Sequence, residues 1–152
     1  MKLIAHRGNI NGPNVNEENK PEYIVCAIEN GYFVEIDLWY KDNNLYLGHD
    51  LPKYKVNYSF LIKYKCKLFI HCKNIEALYF IINKNDDLEC FFHDNDDCVL
   101  TSKGNIWTYP GKILTEKSIC VMPERTKIYN YYDIIRCIGI CSDYVSKYTP
   151  ID

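Results

Sequence analysis

Phe33-Val34-Glu35-Ile36-Asp37-Leu38-Trp39 is apolar except for two acids placed two positions apart. Side chains of a strand alternate between faces, so Glu35 and Asp37 share one face and Val34, Ile36 and Leu38 share the other. The four histidines sit in comparable places, each closing a short apolar run: KLIA before His6, LYLG before His49, LFI before His71 and CFF before His93. Several strands that each deliver a titratable side chain at their C-terminal end suggest a parallel β/α barrel, with its chemistry at the mouth.

Working outward, residues 2–5 read as a first strand, 9–20 as a polar loop, and 21–30 as a helix with Pro21 in its first turn and Gly31 at its end. A turn at 42–44 and a short strand at 45–48 follow the central stretch. Next come a helix at 59–66, a strand at 68–71, and a helix at 75–83 capped by Asn74. Strand 90–93, short elements at 97–102 and 105–108, strand 118–122, helix 131–137 and strand 138–142 complete the reading. The alternation predicts an α/β fold. A full eight-unit barrel takes about 250 residues, and this chain has 152. The expectation is therefore a trimmed TIM-type (β/α) barrel, one domain over 1–152, with helices shortened or replaced by loops. An open doubly wound sheet is the alternative, but the Gly-rich phosphate loop common in that fold is absent.

A hydrophobic share of 47% and a charged share of 25% fit a folded chain. The net charge of −2 and the lack of a basic run beyond residues 64–67 argue against a nucleic-acid partner. No apolar run approaches the ~20 residues of a membrane-spanning helix, so no transmembrane segment is expected. The eight cysteines lie mostly inside apolar runs, without a C-x-x-C pair, and the N-terminus enters a strand directly. Reduced thiols in a cytoplasmic protein are the expectation.

Two carboxylates on the inward face of a buried strand repel each other and lose solvation unless neutralised. A hard divalent cation, Mg²⁺ or Ca²⁺, is the simplest neutraliser, which makes Glu35 and Asp37 candidate metal ligands. The opposite pleat would instead put both acids on a solvated face. His6 and His49 titrate near neutral pH and are candidate general acid and base. Arg7 offers a planar fork for phosphate oxygens. His71 and Lys73 repeat the i, i+2 spacing, Lys73 as a phosphate contact and His71 as a ligand or a ligand's support. His93 and Asp94 end another apolar run. Glu124 and Asp143 also end strands, and Trp107, Tyr109 and Pro110 are candidate pocket walls.

The series Ala5-His6-Arg7-Gly8, Glu18-Asn19, a helix ending at Gly31, Glu35-x-Asp37 and His49-Asp50 resembles the glycerophosphodiester phosphodiesterase family. More broadly it is similar to the superfamily that includes phosphatidylinositol-specific phospholipase C. The resemblance covers residues 4–50 and implies a TIM barrel, a divalent cation and cleavage of a glycerol-linked phosphodiester. It also implies His6 and His49 as the acid–base pair, Arg7 as a phosphate contact, and Glu35 and Asp37 as metal ligands. The family's acid-x-Lys motif is here His71-Cys72-Lys73. Lys73 carries over as a phosphate contact, and the third ligand becomes His71 or comes from elsewhere, such as Asp94. Residues 51–67 are too few for the family's pocket-forming insertion. The function expected is that of a metal-dependent phosphodiester hydrolase acting on a small molecule. The alternatives are a non-catalytic descendant that binds a phospho-ligand or partner, and a lyase that releases a cyclic phosphate.

Overall fold

A computed structural model describes residues 1–148. Its strands are β1 (Lys2–His6), β2 (Phe33–Lys41), β3 (Asn44–Leu47), β4 (Tyr54–Val56), β5 (Leu68–Cys72), β6 (Cys90–Phe92), β7 (Cys98–Leu100), β8 (Ile106–Thr108), β9 (Ser118–Val121) and β10 (Gly139–Ser142). Four short helices accompany them: α1 (Pro21–Glu29), α2 (Tyr58–Lys63), α3 (Ile75–Lys84) and α4 (Tyr131–Ile135). The strands form one curled, mixed sheet. β6, β5, β2, β1, β10, β9 and β8 pair in that order, all parallel. β7 runs antiparallel on β8, and the hairpin β3–β4 extends antiparallel from the far end of β2.

This arrangement corrects the expected fold. The molecule is a half-barrel sheet built mostly of strands, and the alternating TIM-type (β/α) barrel does not form. Alternation holds where α1 joins β1 to β2, α3 joins β5 to β6 and α4 joins β9 to β10, and it fails between β6 and β9. A parallel crossover needs about a dozen residues. Only residues 93–97 separate β6 from β7 and only 101–105 separate β7 from β8, so β7 and β8 form a hairpin and no helix fits there. The β8–β9 connection also lacks a helix. The sequence reading also missed β4, and its helix at 59–66 starts one residue and ends three residues later than α2.

The elements that do form have local causes. Asn74 caps α3 by accepting from Ala77 N at 3.2 Å, and its amide also exchanges hydrogen bonds with the Tyr40 backbone, fastening α3 to β2. Asn130 and Asp133 close a reciprocal capping box on α4. Val34, Ile36 and Leu38 pack with Ile24, Ala27, Leu61, Ala77 and Ile81 between the sheet and its helices. The opposite face carries a separate apolar cluster of Ile4, Phe33, Phe69, Phe91, Trp107, Ile119 and Cys141. All eight cysteines are free thiols. Among the described residues, no helix is long and apolar enough to cross a membrane.

The curl leaves a seam between β6 and β7, which share no strand ladder. Side chains close it. Ser102 N donates to Cys90 O at 2.9 Å, and Ser102 Oγ receives from Cys90 N at 3.0 Å. The buried Glu89 carboxylate accepts from Thr101 Oγ1 and Asn105 Nδ2. Removing that acceptor strands two buried donors, which costs about 1–3 kcal/mol. Glu89→Ala should lower the urea-unfolding free energy by that amount, whereas Glu116→Ala, at an exposed position, should change it by less than about 0.5 kcal/mol. Equal effects would show that the seam does not depend on Glu89.

Candidate functional site

Each inward apolar residue of the sheet is followed, two positions on, by a residue nearer the mouth. Ile4 leads to His6, Phe33 to Glu35, Phe69 to His71, Phe91 to His93, Trp107 to Tyr109 and Cys141 to Asp143. The two-residue pleat thus stacks a polar layer on an apolar floor. Register brings the layer together, with His6 opposite Glu35 and Asp37 opposite His71. Glu35 and Asp37 are 2% and 0% exposed, so they lie on the buried inner face and not on a solvated one.

Tight turns place the remaining groups. Arg7 adopts a left-handed backbone at φ 54°, which costs a non-glycine residue about 1–2 kcal/mol. Its N–H donates to Glu35 O at 2.9 Å. Gly8 follows at φ 91°, and a Cβ there would stand 2.7 Å from the Tyr23 ring. Gly48 N donates to Asp37 O and Gly48 O accepts from Trp39 Nε1, so the turn that presents His49 is tied to β2.

Asp37 is the centre of the layer. Its Oδ2 accepts from Asn19 Nδ2 at 2.9 Å and lies 3.1 Å from Arg7 Nε and 3.5 Å from His49 Nδ1. Its Oδ1 lies 3.2 Å from His71 Nδ1 and 3.6 Å from Lys73 Nζ, without the alignment of a hydrogen bond. Burial pushes the Asp37 carboxyl up, but His49, His71 and Arg7 outweigh it and hold the group well below the usual carboxylate range. Glu35 goes the other way: burial and the neighbouring Asp37 charge raise it well above its ordinary value, against the pull of Arg7 and Lys73. Arg7 also binds Glu18 at 3.1 Å and donates from Nη2 to His49 Nδ1 at 2.7 Å.

His6 is held differently. Its Nδ1 meets Asp143 Oδ1 at 2.7 Å, and its Nε2 lies 3.8 Å from Glu35 Oε2. Burial lowers the His6 pKa, and the Asp143 hydrogen bond opposes that shift without cancelling it. At neutral pH the imidazole is therefore uncharged, with Nδ1–H on Asp143 and a lone pair at Nε2. Asn9, fully buried, supports Asp143 with a 2.9 Å bond. Glu124, expected to line the pocket, sits behind it and receives Ser142 Oγ and Asp143 N at 2.9 and 3.1 Å.

His71 stacks on Phe91 with ring centroids 5.0 Å apart, and His93 stacks on Tyr109 at 3.8 Å. Burial, with His71 adding to it, lowers the His93 pKa. Glu35, Asp37 and His71 offer donor atoms all within 4.8 Å of one another, a grouping that suits a divalent cation. Asp94, the other proposed third ligand, stands exposed at the cleft rim beside Asn95 and outside this grouping. A cleft of about 500 Å³ opens over the layer between Lys73, His93, Trp107 and Tyr109. A neighbouring one of about 430 Å³ shares His6, Arg7, His49 and Arg125 and runs on past Val15 and Leu51. Arg125, 3.5 Å from Asp143, and the buried Asn9 escaped the sequence reading. Arg125 follows the end of β9 as Glu124 does, and that position was its available signal. Asn9 is one of several asparagines in a polar loop, and no pattern singles it out. No family model matches the chain, and neither a curated protein nor a solved structure does.

The raised Glu35 carboxyl has a sign that can be tested. Its contribution to stability is greatest below the unfolded value of about 4.3 and is lost as pH rises through the higher folded value. Glu35→Gln keeps the shape and removes the titration. In chelator, its urea midpoint should gain on wild type as pH is raised from about 4 to about 8. A difference that shrinks over that range would mean that Glu35 ionises in the fold without penalty.

Proposed function

We propose that the protein is an acid–base phosphodiesterase, cleaving a small phosphodiester at the layer formed by His6, Glu35, Asp37, His49, His71 and Lys73. The observation that carries this reading is the His6–Asp143 pair. It holds an uncharged imidazole with its free nitrogen beside a buried acid pair, while Arg7, Lys73 and His49 face the same cleft. The likeness of residues 4–50 to glycerophosphodiester phosphodiesterases supports a glycerol-type diester as the first substrate to try.

In this mechanism the phosphate takes Arg7 and Lys73 as its charged contacts, and they stabilise the negative charge that builds on its oxygens. Glu35, Asp37 and His71 would hold a divalent cation, whose chemistry here is Lewis-acid polarisation of a phosphoryl oxygen. His6 Nε2 takes the proton of the attacking hydroxyl, from water or from the substrate itself, as its bond to phosphorus forms. Asp143 holds the other ring nitrogen and stabilises the imidazolium that results. His49 protonates the leaving alkoxide as its bond to phosphorus breaks. When Arg7 Nη2 turns to the phosphate, it leaves His49 Nδ1, which then faces Asp37 Oδ2 3.5 Å away. His6 is thus the base and His49 the acid.

Separating binding from chemistry tests the assignment. With glycerophosphodiesters or bis-aryl phosphodiesters as substrates, His6→Ala and His49→Ala should each lower kcat by roughly 10²–10⁴ and leave metal affinity nearly unchanged. Asp37→Asn should lose both. Phosphorus NMR of the products tells hydrolysis from a lyase reaction that stops at a cyclic phosphate. If the wild-type protein turns over none of these diesters yet binds a phosphate ester, the enzymatic reading is wrong and a non-catalytic phospho-ligand binder takes its place.

A further inference from the structure

We infer that the Glu35–Asp37–His71 site takes a borderline first-row transition cation, of the Zn²⁺ or Co²⁺ kind, in preference to Mg²⁺ or Ca²⁺. The inference deepens the proposed function by naming its cofactor class and rests on the metal-holding part of that reading. Three observations carry it.

The first is a pair of facing donors that the protein leaves unused. Asp37 is fully buried, yet its Oδ1 has no hydrogen-bond partner. His71 Nδ1 faces it at 3.2 Å and stands 3.8 Å from Glu35 Oε1. A buried histidine kept for structure is normally tethered through its nitrogens. His71 Nε2 is buried without a partner, and the ring is positioned by its near-parallel stack on Phe91, 10° from coplanar. Its place is set by packing, which leaves its lone pair for a ligand.

The second is charge. Hard cations bind through net negative potential and many oxygens, six to eight for Ca²⁺. Here the two carboxylates already face two permanent cations, with Arg7 Nε 3.1 Å and Lys73 Nζ 3.6 Å from Asp37. A purely ionic guest meets that repulsion and finds few oxygens. A borderline cation also gains a dative bond to imidazole, which does not depend on net charge.

The third is ligand count. Two carboxylates and one imidazole make three protein ligands, the number that leaves a coordination position open for a reacting oxygen at catalytic zinc sites. The open side faces the cleft, because Glu35 and His71 both line it.

The test is direct metal binding by the full chain without substrate. Calorimetric titration should give Zn²⁺ and Co²⁺ at least about a hundredfold tighter than Mg²⁺ or Ca²⁺. Pulsed EPR of the Mn²⁺-loaded protein should show coupling to an imidazole nitrogen, a readout that needs no variant. His71→Asn should abolish the coupling and His49→Ala should keep it. His71→Glu, which restores an all-oxygen set, should narrow or reverse the preference. Equal or tighter Mg²⁺ or Ca²⁺ binding in the wild type overturns the inference, as does Mn²⁺ bound without nitrogen coupling. Nitrogen-coupled metal in a protein that cleaves no phosphodiester upholds this inference while defeating the phosphodiesterase reading. Cleavage of a phosphodiester by a protein that binds Zn²⁺ and Co²⁺ no more tightly than Mg²⁺ or Ca²⁺ does the reverse.

Discussion

A carboxylate with no exposure to water holds this molecule's polar layer together. An isolated buried charge is costly by several kcal/mol even after relaxation. Asp37 avoids that cost by drawing partners from four parts of the chain: Arg7 after β1, Asn19 before α1, His49 after β3, and His71 with Lys73 at the end of β5. Each of these groups sits near an element's end, so gathering them around one carboxylate also sets where several turns lie. The strained backbone of Arg7 is consistent with this role. Its conformation is held by its own N–H on β2 and by its guanidinium on Asp37, Glu18 and His49.

The apolar floor matters as much as the charges above it. Beneath the acids Trp107 stacks on Phe91 with centroids 4.6 Å apart and lies tilted against Phe69 at 5.8 Å. A buried floor of apolar side chains keeps the local dielectric low, which strengthens the interactions in the layer. It also explains why Glu35 and Asp37, two positions apart, are displaced in opposite directions. Asp37 holds the stabilising partners, and Glu35 faces the resulting negative charge as well as its own burial. Two acids of one strand thereby become different chemical groups.

Much of the site was legible in the sequence because the relevant signal is strictly local. A strand alternates with period two, so Glu35-x-Asp37 and His71-x-Lys73 had to present both members of each pair to one side. The apolar run before each histidine marked the end of the element that carries it. The fold was harder to read. The β/α alternation is real around α1, α3 and α4 and sets the expectation for the whole chain, but no connection between β6 and β9 carries a helix. Residues 97–108 were read only as short elements, and nothing in their pattern shows that β7 turns back on β8. The places of Asp94 and Glu124 were harder to read for a related reason. Position at a strand end is necessary for a place in the layer, but the direction of the following turn decides it. That turn carries Asp94 to the rim and Glu124 behind Asp143.

The sequence by itself determined which residues could share a face and how many titratable groups end apolar runs. These follow from the alternation of the backbone and from composition, which need no tertiary contact. Only the tertiary structure decided which faces meet. The pairing of β1 with both β2 and β10 brings His6 to Asp143, 137 positions away in the chain, and fixes which imidazole nitrogen is free. The register of β2 on β5 sets Asp37 against His71 and not against Asp94. Such pairings depend on how distant strands bury their common apolar floor, and no local window of sequence contains that information.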